Sequence, residues 1–284
     1  MTAAHAKRAR SRDARAIRHR AGRRWAATLA ALLTPACSDG PARDSPDAAT
    51  APDAAPEIDA APDATPLPPA QDVRLADVVA DAPGHGDASL AINGVHGAGR
   101  NSGSADVFSF GYSTVPPIDN YLTLTWSNGR LQNGPGADLV IFENPFLIAG
   151  GGSFMDLIIV EVSIDGVEFR ELAHDYTATD PTIYQPIPAL WSGFAGKTPV
   201  LLNITTNPVD PFDAAVAGGD PFDLDTVVGD DPLARDIRAH GVRFVRVVSA
   251  ASRIDPHTGQ RYVKDAASNG PDLDGVYGRY VAPL

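Results

Sequence analysis

Beyond Gln71 the chain runs in short stretches of β-branched and aromatic residues, each closed by Gly, Pro, Asn or Asp; this punctuation leaves room for strands but little for helices. The clearest strands are Tyr121–Trp126, Asp138–Phe142, Leu157–Ser163 and Val242–Val248. Asp165-Gly166 follows the third with residue types that tolerate the positive φ of a two-residue type I′ turn. Residues 157–172 therefore predict a hairpin whose second strand, Val167–Leu172, alternates inward and outward. One helix is expected, with Asp231 as N-cap, Pro232 in the first turn, Leu233 and Ile237 on one face and Gly241 as its stop. Residues 72–284 are thus expected to form one all-β domain, an antiparallel β-sandwich with one short helix.

The first 36 residues are of another kind. Nine Lys and Arg residues against the single acid Asp13 occupy residues 1–24, and the apolar run Trp25–Leu33 follows. This is a basic n-region with an h-region, the latter about half the ~20 residues that a membrane-spanning helix needs. The only cysteine, Cys37, closes Leu33-Thr-Pro-Ala-Cys37, which resembles the lipobox where bacterial signal peptidase cuts and the new N-terminal cysteine is acylated. Thr34 and Pro35 depart from the usual lipobox residues. From Ser38 to about Ala70, Pro-Asp-Ala repeats contain almost no large apolar residue, a composition that cannot offset the entropy of ordering. The predicted organisation is a lipoprotein signal peptide at 1–36, a disordered Pro/Ala/Asp-rich tether at 37–71 and the β-sandwich at 72–284. Lipidated Cys37 would hold the exported protein to a bacterial membrane, facing the periplasm or the cell surface.

Losing the signal peptide removes nine of 23 basic residues and one of 35 acids, leaving 14 against 34, a net charge of −20. Nucleic acid is excluded as a partner on that ground, whereas divalent cations suit it.

Several ordered motifs carry a resemblance: Gly103–Gly111, Asn133–Phe146, Phe154–Phe169, Ala195-Gly-Lys197, Ala217–Leu224, Val242–Val247 and Pro271–Val276. Together they resemble a family of uncharacterised bacterial cell-surface proteins, found as myxobacterial-type lipoproteins and PEP-CTERM-type surface proteins, over roughly residues 78 to 278. Val160-Glu-Val-Ser163 before Asp165-Gly166, and Val242–Val247, also resemble strands of discoidin-like, galactose-binding jelly rolls. The resemblance implies a jelly-roll-type sandwich and a surface location, and it brings no catalytic residues. Pro271 departs from the aromatic usual before the closing Asp-Leu-Asp.

Acids crowd into loops at Asp210-Pro-Phe-Asp213, at Asp220-Pro-Phe-Asp223 with Asp225, and at Asp272 and Asp274. Calcium takes six to eight oxygens in flexible geometry, so Asp272 and Asp274, with Asp223 or Asp225 and Glu143, are candidate Ca²⁺ ligands; ordinary turn formation explains the same acids. Glu143-Asn144 at a strand end suits a cation or a sugar hydroxyl, or else a turn cap. Trp191 and Tyr184, in the long segment 175–196, suit stacking on sugar rings or packing beneath their loop. The histidines show no zinc-ligand spacing, and Gly150-Gly-Gly-Ser153 lacks the nucleophile elbow, so no catalytic constellation emerges. A non-catalytic binding module for a glycan or surface protein fits best, with a structural or adhesive surface protein and an unrecognised hydrolase as alternatives.

Overall fold

The computed structural model describes residues 72–83, 86–111 and 120–284; the expected signal peptide, Cys37, the tether and His85 lie outside the described residues. Leu139-Val-Ile-Phe142 has no polar residue at alternate positions, the pattern of a strand covered on both faces. It forms such a strand. Nine strands build the two main sheets: β1 (Arg74–Leu75), β2 (Val78–Asp81), β3 (Tyr121–Thr125), β4 (Leu139–Phe142), β5 (Ile158–Ser163), β6 (Arg170–Glu171), β7 (Asp220–Phe222), β8 (Phe244–Ser249) and β9 (Gly275–Gly278). One sheet has the order β1-β9-β4-β7 and the other β6-β5-β8-β3-β2, with every pairing antiparallel. Short antiparallel ribbons, such as Phe108–Ser109 with Asp272–Leu273, tie the loops together. The described chain is all-β in class.

The two sheets share one core. Leu139 and Ile141 from β4 meet Leu122, Leu124, Val160, Val162, Val245 and Val247 from the five-stranded sheet. The alternate residues of β4, Val140 and Phe142, face the other way and are covered by Val200, Leu202 and Ala217. A third cluster is built on Met155, Tyr176, Trp191, Phe194 and Tyr262. Each large apolar side chain so enclosed contributes roughly 1.5–3 kcal/mol.

Among the described residues two α-helices interrupt the strands: α1 (Ala214–Ala217), a single turn, and α2 (Pro232–His240). Asp231 caps α2 by accepting from the backbone N–H of Leu233 and Ala234, Pro232 stands in its first turn, Ile237 is buried, and Gly241 at φ +73° ends it. These are the roles the sequence predicts. The turn α1 is not anticipated. Asp213 caps it, so the second acid of the first Asp-Pro-Phe-Asp repeat serves as a helix cap.

The hairpin is present but wider than expected. β5 pairs with β6 in the register Arg170 to Val162 and Glu171 to Glu161, and Val167 is 80% exposed at the tip. Of the turn pair only Gly166 adopts positive φ, at +79°. Asp165 instead accepts from the N–H groups of Val167 and Glu168, and Ser163 Oγ accepts from that of Gly166. These side-chain bonds hold an open loop, which competes with the tight turn.

Candidate functional site

The structure distributes the acids expected to bind calcium among three places. Glu143 and Asp272 meet: Glu143 Oε1 accepts from the Asp272 N–H at 3.0 Å, while the Asp272 carboxylate takes the Ser109 hydroxyl. Asp274 is buried elsewhere, both oxygens accepting from the His96 N–H at 2.9 and 3.1 Å. Asp223 and Asp225 lie near Asp138, at the opposite end of β4 from Glu143. Asp223 caps a short turn by accepting from the Asp225 N–H, and Asp225 accepts from Asn133 Nδ2. Among the described residues no three His, Cys, Asp or Glu side chains are grouped to hold a metal ion. The five acids therefore do not form one centre, because each has an oxygen engaged by a different loop backbone or side chain.

Glu143 stands apart from this pattern. It is 3% exposed, its Oε2 is buried without a hydrogen-bond partner, and burial followed by the charge of Asp156 holds its carboxyl well above the usual range. Asp156, which no acidic cluster of the sequence includes, is itself pushed up to about 6 by burial. Gly196 of the Ala-Gly-Lys motif seals this corner. At φ +85°, a Cβ there would stand 2.3 Å from the Asp156 carbonyl and 3.3 Å from Glu143 Oε2, so only glycine fits.

The candidate ligand-stacking aromatics need correction. Trp191 is fully buried, stacked on Tyr176 at 3.6 Å between ring centroids and edge-on to Phe194, with its indole N–H donated to the Gln185 carbonyl. No sugar ring can reach it. Tyr184 packs against the same cluster and donates its hydroxyl to the Met155 carbonyl at 3.2 Å. The apolar demand of the third core cluster outweighs any surface role. Asn144 uses both ends of its amide on the backbone of Ser104, accepting from N–H and donating to C=O, and so holds loop 101–106.

A different site appears on the outer face of the five-stranded sheet. The registers align one row of side chains across it: Glu171 (β6), Glu161 (β5), Arg246 (β8), Thr123 (β3) and Asp81 (β2). Their chain neighbours Val160, Val162, Val245, Val247, Leu122 and Leu124 point into the core, so alternation alone places this row outward. Glu161 is nonetheless only 5% exposed, since Arg246 reaches its Oε2 at 3.4 Å and Arg253 its Oε1 at 2.6 Å. The Arg246 guanidinium also donates to Thr123 Oγ1 and lies over the rings of Phe169 at 3.5 Å and Tyr121 at 4.7 Å. Arg170 is drawn aside by the α2 cap, Asp231, at 3.2 Å.

Above this row lie two adjoining cavities of about 430 and 530 Å³, which share Glu171, Val228 and Arg253 as lining. That is the size of a small-ligand site. The first is floored by Glu161, Phe169 and Arg246, and the second continues over Ile159 and His174. This site is not among those expected from the sequence. Its signal was present in Val160-Glu161-Val162 and Val245-Arg246-Val247, where single charges of opposite sign interrupt two apolar strands.

No protein-family model, no curated protein and no solved structure matches the chain.

Proposed function

We propose that this protein is an exported lipoprotein, tethered through Cys37, whose jelly-roll-type sandwich is a non-catalytic binding module for an extracellular or envelope glycan, seated in the cleft over the five-stranded sheet. The observation that carries the reading is the polar row beneath that cleft. A solvated sheet face has no need of a nearly buried carboxylate held by two guanidiniums and an aromatic ring, whereas fixed polar groups in one cavity beside a mainly apolar second one suit the orientation of a small polar ligand. The nine-strand, two-sheet arrangement supports the jelly-roll assignment, and the basic n-region, apolar run and Cys37 support the anchor. Among the described residues no helix is long and apolar enough to cross a membrane.

Val228 lines both cavities and is 49% exposed, so Val228→Trp fills the cleft without touching the core. Glycan-array binding by the full chain, lost in Val228→Trp at unchanged melting temperature, supports the reading. Binding unaffected by the tryptophan overturns the seat. Self-association without any ligand favours a structural or adhesive role, and turnover on a glycoside panel favours a hydrolase. For the anchor, a Cys37→Ala form that still partitions with membranes overturns lipidation.

A second reading concerns calcium. The unpartnered Glu143 Oε2 beside Asp156 supports a cation held by these two carboxylates, in place of the wider set. Millimolar calcium would then raise the melting temperature relative to EGTA, through binding to the native state alone, and would fail to do so in Glu143→Gln. Equal melting temperatures in calcium and EGTA overturn it.

A further inference from the structure

We infer that the cleft selects a carboxylate-bearing saccharide, of the uronate class, through Arg253; this rests on the binding reading above. Basic side chains are scarce in this molecule, 14 against 34 acids once the signal peptide is removed, yet Arg170, Arg246 and Arg253 all line one cavity. They are not equivalent. Arg170 is neutralised by Asp231. Arg246 is committed to Glu161, Thr123 and the faces of two rings. Arg253 gives only one edge to Glu161, donating from Nε at 3.1 Å and Nη2 at 2.6 Å, while its side chain stays 31% exposed and lines both cavities.

Around Glu161 itself the charges do not cancel, because one carboxylate faces two guanidiniums; Glu171, on the rim of the same cavity, is the second acid of its lining. A buried ion pair is poor evidence for stability, since apolar residues of similar volume serve as well or better. Its use here is orientation: Glu161 fixes the plane of Arg253, leaving the remaining edge presented to a planar anion, for which arginine is suited. Glu171 on the rim supplies an acceptor for a hydroxyl, and Val228 an apolar surface for a ring face. Hydroxyl, ring and carboxylate together describe a uronate. The net charge of −20 does not oppose this, because at physiological salt charges beyond about 8 Å are largely screened while Arg253 acts at contact.

The test is calorimetric titration of the full chain with an oligogalacturonate and with its methyl ester, which removes the charge and keeps the hydroxyls. The ester should bind about tenfold or more weakly, as loss of a charge-assisted bond implies, and folded Arg253→Gln should bind both forms alike. Should Arg253→Gln fold poorly, Arg253→Lys keeps the charge, loses the fork and weakens binding of the acid form alone. Equal binding of acid and ester by the wild type, unaffected by Arg253→Gln, overturns the uronate assignment and leaves the glycan-binding reading standing. Binding of no saccharide, charged or neutral, overturns both. Arg253-dependent capture of an acidic peptide in preference to the oligogalacturonate overturns the saccharide class.

Discussion

Lowering the pH from 8 to 5 should make this acidic domain more stable. Burial pushes Asp138 and Asp274 up to about 7 and Asp156 to about 6, against about 3.9 in an unfolded chain. The folded state then binds more protons than the unfolded one between pH 4 and 7, so the stability these groups contribute is present at low pH and lost as pH rises through 6 to 7. Between pH 8 and pH 5 the gain is about 2.5 kcal/mol for each of Asp138 and Asp274 and about 1.4 kcal/mol for Asp156. Residual hydration and screening cut such figures by roughly half, leaving a rise of about 3 kcal/mol for these three groups. Relief of self-repulsion adds in the same direction. Asp274→Asn isolates one share, because both Asp274 oxygens accept from the single His96 N–H and an amide oxygen can keep that bond. The variant should be more stable than wild type by about 1 kcal/mol at pH 8 and close to it near pH 5. Urea unfolding followed by the fluorescence of buried Trp126 and Trp191 measures this. Stability that is flat or rises from pH 5 to 8, or an Asp274→Asn form weaker than wild type at pH 8, would refute the reasoning.

Trp191→Ala should cost about 3–5 kcal/mol in urea unfolding, as a core truncation, and leave glycan binding by the folded fraction intact. Gly196→Ala should lower stability by more than about 1 kcal/mol, since φ is +85° and the new Cβ meets the Asp156 carbonyl; a neutral effect would mean that this corner relaxes freely. Asp231→Ala removes the α2 cap and the partner of Arg170, and should cost about 1 kcal/mol, read as a lower urea midpoint at unchanged slope.

The elements legible in the sequence are those whose local pattern and tertiary setting agree. Leu139–Phe142 and Ile158–Ser163 are apolar enough to be strands in any context, and the Asp231, Pro232 and Gly241 signals describe α2 as it stands. The type I′ turn fails because Ser163 and Asp165 supply competing side-chain bonds that residue propensity does not count. Trp191 cannot be placed from sequence, because the cluster that buries it joins Tyr176 and Phe194 of its own segment to Met155 and Tyr262 from distant ones. The same holds for the acids: spacing places Asp272 and Asp274 in one loop but cannot show that they turn to Ser109 and to His96. The cleft is the clearest case. Glu161 and Arg246 are visible as charges within strands, but their pairing requires the β5 to β8 register, and Arg253 arrives from the turn beyond β8.

The most direct test of the account is an NMR titration that follows the arginine Nε–H signals of the full chain as an oligogalacturonate is added. Arg253 should shift most, with backbone signals of Glu171 and Val228 moving alongside, while Arg74 in β1 of the other sheet and Arg279 just beyond β9 stay still. Shifts centred on the loop held by Asn144, or on residues of the four-stranded sheet with Arg253 unmoved, would contradict it.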